Sequence, residues 1–596
     1  MKPVIDILEQ RVSQVLSERT QTDSAPALVK PTQDPKFGDY QANGVMSLAK
    51  KLKRHPREIA QQVLEHLDVS DICEPPTIAG PGFINFRLKP DWIADQLTVA
   101  LRDPIRLGID PLPDPPITVI DYSCPNIAKQ MHVGHLRSTI IGDTFARTLE
   151  FYYDDPARVI RQNHIGDWGT QFGMLLRYFD KKKTKIKGAH ALSLEGLGIE
   201  NFEQFYREAK KEFDSDPNAA KEAREWVVYL QNADSQYHDQ AMLYWEAITN
   251  NSLNHCQEIY NQLNVTLSEK DVCGESFYKD RLPSVISELS VANLLTESEG
   301  AQCVFLEGFK TKQGDPLPLI VRKSDGAYLY ATTDLAAVRY RVGELKARRL
   351  IYVTDARQKL HFEMFFACAR QAGWAGPDVL LEHVPFGSVT DKTGKPFKTR
   401  AGKNVKLKDL LDEAEARARK IVEEKNPDLP PDQKQNIARA VGVGAVKYAD
   451  LSNNLVSDYV FDWDQMLAME GNTAPYLQYA YARVQSIFRK AALDPGQLLA
   501  AEHPIDLTTP EELALAQLLL RYGEVVETVV RDLRPHLLTN YLFDLAQTFS
   551  AFYTHCPVLK APSESLKNSR LLLCRLTART LRHGLSLLGI QTLEQM

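Results

Sequence analysis

The chain has 596 residues, 44% hydrophobic and 25% charged, with a formal net charge of −6, which fits a globular protein with enough chain for three or four domains. No apolar run reaches membrane-spanning length, and the opening MKPVIDILEQ lacks the apolar stretch of a signal peptide, so neither a membrane-spanning helix nor a secretory leader is expected. The eight cysteines are scattered, with no Cys-x-x-Cys pair and no clustering with histidine, so no zinc ribbon, disulfide framework or tightly bound metal is expected and a cytoplasmic location fits. The negative balance argues against a nonspecific nucleic-acid coat, but local patches, not averages, bind RNA.

Residues 1–112 read as an α+β module. Helical patterns run near Ile5 to Leu16 and from Ala42 to Leu67, and Gly82-Phe83-Ile84-Asn85-Phe86 behind a Pro-Gly turn reads as a strand. Two aromatics flanking an asparagine can stack on and hydrogen-bond an unpaired base, or both can be core. Lys50, Lys51, Lys53, Arg54 and Arg57 form a basic run. Such runs, including five lysines between Lys181 and Lys187 and the stretch from Lys392 to Lys408, are each read first as solvated surface. The proline-rich Asp110 to Pro116 is the linker to the next domain.

The centre of the chain is Pro125-Asn126-Ile127-Ala128-Lys129-Gln130-Met131-His132-Val133-Gly134-His135. Before it, the β-branched run from Ile117 to Ser123 suits a buried strand of a parallel sheet. After it, Leu136, Ile140, Ile141, Phe145 and Leu149 recur at helical spacing. A strand, a sharp loop and a helix start make a phosphate site, because unpaired N–H groups and the positive end of the helix point outward there. Gly134 lets a flat nucleotide near the backbone, and His132 and His135 can face one side and donate to phosphate oxygens. Alone, two histidines three apart are more often ordinary surface or core residues, or half of a metal site.

Residues 113–460 then carry further strand candidates, Ala157 to Arg161, Arg349 to Thr354 and Val379 to Phe386, alternating with helices as in a doubly wound parallel sheet. Such sheets bind ligands at the carboxyl ends of their strands, where the two histidines fall. Between about 181 and 318 the alternation breaks, which marks an insertion. Residues 461–596 are helical throughout, with Leu513, Leu518, Val525, Val529 and Leu533 among the apolar positions, and suit an antiparallel bundle. Near its end Arg575, Arg579 and Arg582 share a helical face beside His583 and can line a phosphate backbone.

His132-Val133-Gly134-His135 resembles the HIGH signature of class I aminoacyl-tRNA synthetases, and the longer DYSCPNIAKQMHVGHLRSTIIGD resembles the arginyl-tRNA synthetases. NHIGDWGTQFGML from 163, GAYLYATTDLAAVRYR from 326, FKTRAG from 397 and EGNTAPYLQYAYAR from 470 follow in the same order. The resemblance covers nearly the whole chain. It implies a Rossmann-like catalytic domain with insertions, an N-terminal module that touches the tRNA elbow through Phe83 and Asn85, and an all-α anticodon-binding domain in which Asn472 and Tyr476 are candidate base contacts and Arg579 a candidate phosphate contact.

A guanidinium needs a fork of acceptors, so an arginine pocket should be acidic. By motif match, Asp334 is the guanidinium partner, Asp121 or Asn126 holds the α-amino group, Gln358 lines the pocket and Tyr330 packs over the stem or bonds the head. Without the resemblance an isolated aspartate there reads as a helix cap. The second phosphate element departs from the wider class. If Phe397-Lys398-Thr399-Arg400 takes the Met-Ser-Lys-Ser places of the usual KMSKS loop, its second lysine becomes Thr399. Lys129, ahead of the histidines, then supplies the cation, or a register slip by one gives that part to Lys398; Lys395 lies in the same loop.

The implied reaction is attack of the arginine α-carboxylate on the α-phosphate of ATP, with Mg²⁺ neutralising the leaving pyrophosphate, followed by transfer to the 2′-hydroxyl of tRNA(Arg). The family implies a monomer whose first step needs bound tRNA, with no other cofactor, no membrane partner and no editing domain. Two rivals are weaker. A coenzyme-forming nucleotidyltransferase needs neither terminal domain, and a non-catalytic RNA-binding relative should have lost His132, His135 or Asp334.

Overall fold

The computed structural model describes residues 1–32, 34–127, 130–183, 202–324, 326–397, 405–493, 496, 498 and 503–596. Two compact units account for them: Met1–Leu112 with Met469–Ser586 and Gln591–Met596, and Pro113–Ala468 with Leu587–Ile590.

In the first unit, Val4, Leu8, Val12 and Leu16 recur every four residues on the helix Val4–Thr20 and are all buried. The helix packs near a four-stranded antiparallel sheet of order β1-β2-β4-β3: β1 Val29–Pro31, β2 Tyr40–Ala42, β3 Thr77–Ala79 and β4 Phe83–Phe86. The helical pattern expected from Ala42 to Leu67 is carried by two helices, Gly44–Leu52 and Pro56–Leu64. The chain turns left-handed at Lys53, φ 54°, and Pro56, which cannot donate inside a helix, opens the second one.

The C-terminal helices Ala474–Ala491, Pro510–Leu520, Tyr522–Asp532, His536–His555 and Glu564–Leu587 form the expected bundle. They do not stand apart from the N-terminal module. Tyr40 Oη donates to Glu524 Oε1 at 2.7 Å, Ile5 N to the same oxygen at 3.1 Å, and Gln517 Nε2 to Asp39 Oδ1 at 2.8 Å. Periodicity reports which face of an element is buried but not against what, so this union of the two ends lay beyond the sequence.

The second unit is built on a parallel sheet of order β11-β10-β5-β6, made of β5 Thr118–Asp121, β6 Val159–Gln162, β10 Arg349–Asp355 and β11 Leu380–Phe386. All four residues of β5 are buried, as a strand covered on both faces requires. The helix Val133–Tyr153 follows β5 and lies so close to it that a Cβ on Gly142 would fall 2.2 Å from the Tyr122 ring.

The interrupted stretch contains the helices Phe202–Ser215, Pro217–Gln231 and His238–Gln262, whose apolar residues, Tyr244 among them, share one core with Phe172 and Phe179. It also contains a three-stranded antiparallel sheet that the sequence pattern does not announce: β7 Leu295–Ser298, β8 Ala301–Lys310 and β9 Pro316–Arg322. These strands are half exposed, so their acidic and basic positions hide the alternation. A short parallel pair, β12 Val389–Thr390 with β13 Tyr459–Val460, lies beyond β11. Among the described residues no helix is long and apolar enough to cross a membrane.

Candidate active site

The chain leaves β5 towards β6 on one side of the sheet order and reaches β10 on the other. The loops after β5 and β10 therefore diverge, and the crevice at their carboxyl ends is where such sheets hold ligands. β5 ends on Asp121 and β10 on Asp355.

The loop after β5 is held in an uncommon conformation. Ser123 and Cys124 are both left-handed, φ 70° and 46°, which costs about 1–2 kcal/mol per residue for side chains with a Cβ. Neighbours hold it there. Ser123 N donates to Ser138 Oγ at 2.9 Å, Ser123 Oγ meets Tyr260 Oη at 2.8 Å, and Cys124 N donates to Asn163 Oδ1 at 3.0 Å. Asn126 is half-buried and bridges to Gly166, whose Cβ position would be 3.4 Å from Asn126 Nδ2.

His132 caps the helix Val133–Tyr153. Its Nδ1 accepts from Gly134 N at 3.0 Å, and His135 Nδ1 accepts from His132 N at 3.1 Å, so the two histidines form a reciprocal capping box. With both Nδ1 atoms acting as acceptors, the ring proton of each neutral imidazole belongs on Nε2. The tilted rings have centroids 4.1 Å apart, and both stand at the positive end of a long helix. Gly134 is exposed and leaves room for the cap itself, since a Cβ there would be 2.7 Å from His132 Cε1.

The lysine-bearing loop is tied to this cap. Val133 N donates to Val405 O at 3.0 Å, Leu407 N to Met131 O at 3.0 Å, and His132 and Lys406 form an antiparallel bridge. Lys395 is exposed near the loop's start, and Phe397 N donates to Val389 O at 3.0 Å. Lys129, Lys398 and Thr399 lie outside the described residues.

A second cluster gathers around the helix Tyr330–Gly343. Tyr330 and Asp334, one turn apart, both meet His361: Asp334 Oδ2 is 2.6 Å from His361 Nε2, and the Tyr330 ring lies 4.8 Å from the imidazole. Tyr330 is 63% exposed, and Gln358, just before the helix Lys359–Gln371, is also exposed.

Two further carboxyl groups stand in this region, the buried Asp167, inside the NHIGDWGTQFGML motif but given no part by it, and the half-buried Glu275. Asp167 accepts from Ser276 N at 2.9 Å and Ser276 Oγ at 2.5 Å, and Glu275 accepts from Trp168 N at 3.3 Å. Burial raises both carboxyl pKa values, and the charges of Asp167 and Asp334 push Glu275 further up, while His164 works the other way. Carboxyl groups crowded this way favour an incoming cation. The backbone must come close to allow it, because a Cβ on Gly274 would sit 2.8 Å from both Asp167 carboxylate oxygens.

Asp121 is placed differently from expectation. Its Oδ2 accepts from Arg341 Nη2 at 2.5 Å, its Oδ1 accepts from Cys124 Sγ at 2.8 Å, and Arg341 Nε donates to Gln162 Oε1 at 2.6 Å. Arg341 is fully buried, 5.0 Å from the Tyr352 ring centroid. Asp121 thus anchors an internal cation instead of standing open to a substrate amine. Breaking such a pair strands a charge at a cost of about 3–5 kcal/mol.

In the other unit, Phe83 is half-buried, while Asn85 is 4% exposed and its Oδ1 accepts from Gln41 Nε2 at 2.8 Å across the β2–β4 pair. Asn472 is exposed, with Nδ2 3.2 Å from Asn540 Oδ1, and half-buried Tyr476 packs on Phe543. Arg579 corrects the phosphate reading. Its guanidinium donates to Leu101 O at 2.9 Å, Ala100 O at 3.3 Å and Asp103 O, so it clamps the carbonyl end of the helix Pro90–Arg102. A shared face of arginines in sequence does not distinguish a solvent-facing row from such an internal clamp.

Three family models match the chain: tRNA synthetases class I (R), catalytic domain, over 111–463; the arginyl tRNA synthetase N-terminal domain over 6–88; and the DALR anticodon binding domain over 477–596. The chain is 52% identical over 591 residues to an arginine–tRNA ligase of Hahella chejuensis, and 49% identical over 590 residues to that of an Escherichia coli strain, covering 99% of each chain in both cases. Among solved structures it resembles the arginyl-tRNA synthetase of Plasmodium falciparum, with a TM-score of 0.84 at 31% identity, and that of Thermus thermophilus, with 0.81 at 27%, each over 100% of both chains.

Proposed function

The chain belongs to the arginyl-tRNA synthetases of class I, and from that premise we propose how its own residues divide the work. The reaction is ATP-dependent attachment of L-arginine to tRNA(Arg) through arginyl-adenylate, with release of pyrophosphate and AMP. Asp334, oriented by His361, receives the guanidinium, and Tyr330 covers it. Glu275 and Asp167 supply the negative field that draws the cation in. Asn126 holds the α-amino group, Gln358 lines the pocket, and Asp121 with Arg341 fixes the strand end from which the loop departs.

The Nε2–H groups of His132 and His135 meet the triphosphate at the exposed backbone of Gly134. They stabilise charge as the α-carboxylate attacks and pyrophosphate departs. Lys395, with Lys129, Lys398 and Thr399, completes the phosphate contacts. Mg²⁺ entering with ATP would supply charge neutralisation on the leaving pyrophosphate. Among the described residues no three His, Cys, Asp or Glu side chains gather as a metal cage. No covalent protein intermediate is needed.

On the RNA side, the half-buried Phe83 and Gln41 are offered to the tRNA elbow, with the buried Asn85 holding Gln41 in place, and Asn472 and Tyr476 are offered to anticodon bases. The enzyme works as a monomer in the cytoplasm, as its family's usual state suggests.

The observation that carries this reading is the reciprocal histidine cap, which holds both imidazoles by Nδ1 at one helix end and so puts the proton of each on Nε2. Arginine-dependent ATP–pyrophosphate exchange, run with and without tRNA(Arg), tests it. Exchange that appears with arginine and tRNA, but not with lysine, is expected. Exchange at equal rates with lysine would refute the assigned pocket, and full exchange without tRNA would remove the tRNA requirement.

A further inference from the structure

Arg137 lies on the helix capped by His132, two residues past His135, and its side chain is 1% exposed. A buried guanidinium is costly unless its donors are used. Here Nε and Nη1 are used, on three segments distant in the chain, while Nη2 is buried without a hydrogen-bond partner. Arg137 Nε meets the Asp450 carboxylate, itself 0% exposed, at 3.1 Å; Nη1 donates to Gly387 O at 2.7 Å and to Ser457 O at 3.3 Å. The guanidinium also lies 5.6 Å from the Phe386 ring centroid and 5.3 Å from that of Tyr459.

These segments share a task. Gly387 is the first residue after β11, where the chain departs for the lysine-bearing loop. The turn 454–458 is sewn to that exit: Gly387 N donates to Leu455 O at 2.9 Å and Ser388 N to Asp458 Oδ1 at 2.5 Å. The approach is so close that a Cβ on Gly387 would lie 2.7 Å from Asp458 Oδ1. The loop returns at Val405 and Lys406, which pair with the backbone of Val133 and His132. One rigid helix therefore holds both ends of the loop, the return through backbone pairing at its cap and the departure through Arg137.

We propose that Arg137 is a positioning residue that sets the lysine-bearing loop against the histidine cap, so that it serves adenylate formation and not arginine recognition. This rests on reading those two elements as the phosphate site. Misplacing a phosphate-binding loop by about 1 Å is enough to slow a positioned reaction by about 100-fold.

The test uses Arg137→Lys, which keeps the charge and loses the fork, and Asp450→Asn, which removes the counter-charge with little change of shape. Three quantities are read on the full-length enzyme: arginine-dependent pyrophosphate exchange with tRNA(Arg), the arginine KM in that reaction, and single-turnover transfer to tRNA from added arginyl-adenylate. Exchange should fall about 10- to 100-fold, while arginine KM and the transfer rate stay within about threefold of the parent. Exchange within threefold of the parent, or exchange and transfer falling together by one factor, would overturn the proposal. If Arg137→Lys fails to fold, Asp450→Asn alone decides between these outcomes. His135→Asn run in parallel separates the two claims: if it leaves exchange intact, the reading of the phosphate site is at fault, not the positioning by Arg137.

Discussion

The two ends of the proposed site, the one assigned to phosphate and the one assigned to arginine, are assembled in different ways. At the phosphate end, four consecutive residues form a helix cap, and two backbone N–H groups hold both imidazoles by their Nδ1 atoms. At the arginine end every carboxyl group is set by a partner far off in sequence: Asp334 by His361, Asp167 by Ser276, Asp121 by Arg341. A backbone-built site needs only a local conformation, whereas a side-chain-built site needs the whole unit folded around it. The first should fail in kcat when altered, and the second in arginine KM.

The largest break in that comparison comes from Asp334→Asn. A cationic substrate left without its carboxylate should lose about 1,000-fold in kcat/KM for arginine, about 4 kcal/mol, with ATP KM little changed. Steady-state exchange kinetics with each substrate varied in turn checks it. His135→Asn acts at the other end and should lower kcat about 100-fold while arginine KM holds. A comparable rise in arginine KM would show that the two ends do not act separately.

His361→Gln is milder. It removes the imidazole that orients Asp334 without touching the carboxylate, and arginine KM should rise about tenfold, as for other residues that orient a charged ligand. A drop in kcat at constant KM would instead make His361 part of the phosphate chemistry.

The smallest effect concerns the helix that carries the histidines. Lys447 is fully buried, donating to Leu263 O at 2.9 Å and Gly589 O at 3.0 Å, and burial lowers its pKa to about 7 from an ordinary 10.5. Asp143, on that helix, opposes the shift, and Arg147 adds to it. Between pH 7 and 10.5 the folded chain binds fewer protons than the unfolded one, so this group makes stability rise with pH there and adds no slope below about 7. The Tm advantage of the parent over Lys447→Met should therefore widen from pH 7 to pH 9. A difference that stays constant over that range would mean Lys447 is not held neutral.

The same contrast explains what could be read from the sequence. The buried run ahead of Pro125 became β5, Thr118–Asp121, and the run from Arg349 became β10, because parallel strands are written as contiguous β-branched stretches. The histidine cap was legible because its four residues are adjacent. Asp334 came only from resemblance; Glu275 and His361 were given no part, nor were Asp167, Arg341 and Arg137, although these three lie inside the matched motifs, since nothing local tells which partner a charged residue finds across the fold. Asp121 and Arg579 were misread for the same reason: an aspartate ending a strand and an arginine on a helical face look alike whether they meet a ligand or the protein's own Arg341 or carbonyl groups.

The proposed recognition of a positive head is assigned above all to Asp334. The direct measurement is pyrophosphate exchange with L-arginine and with its neutral isostere L-citrulline, in the presence of tRNA(Arg), for the parent and Asp334→Asn. The parent should exchange with arginine and not with citrulline, and the variant should lose arginine exchange and with it the preference between the two. Undiminished preference for arginine in a folded Asp334→Asn enzyme would contradict this assignment and move the recognition to another carboxylate.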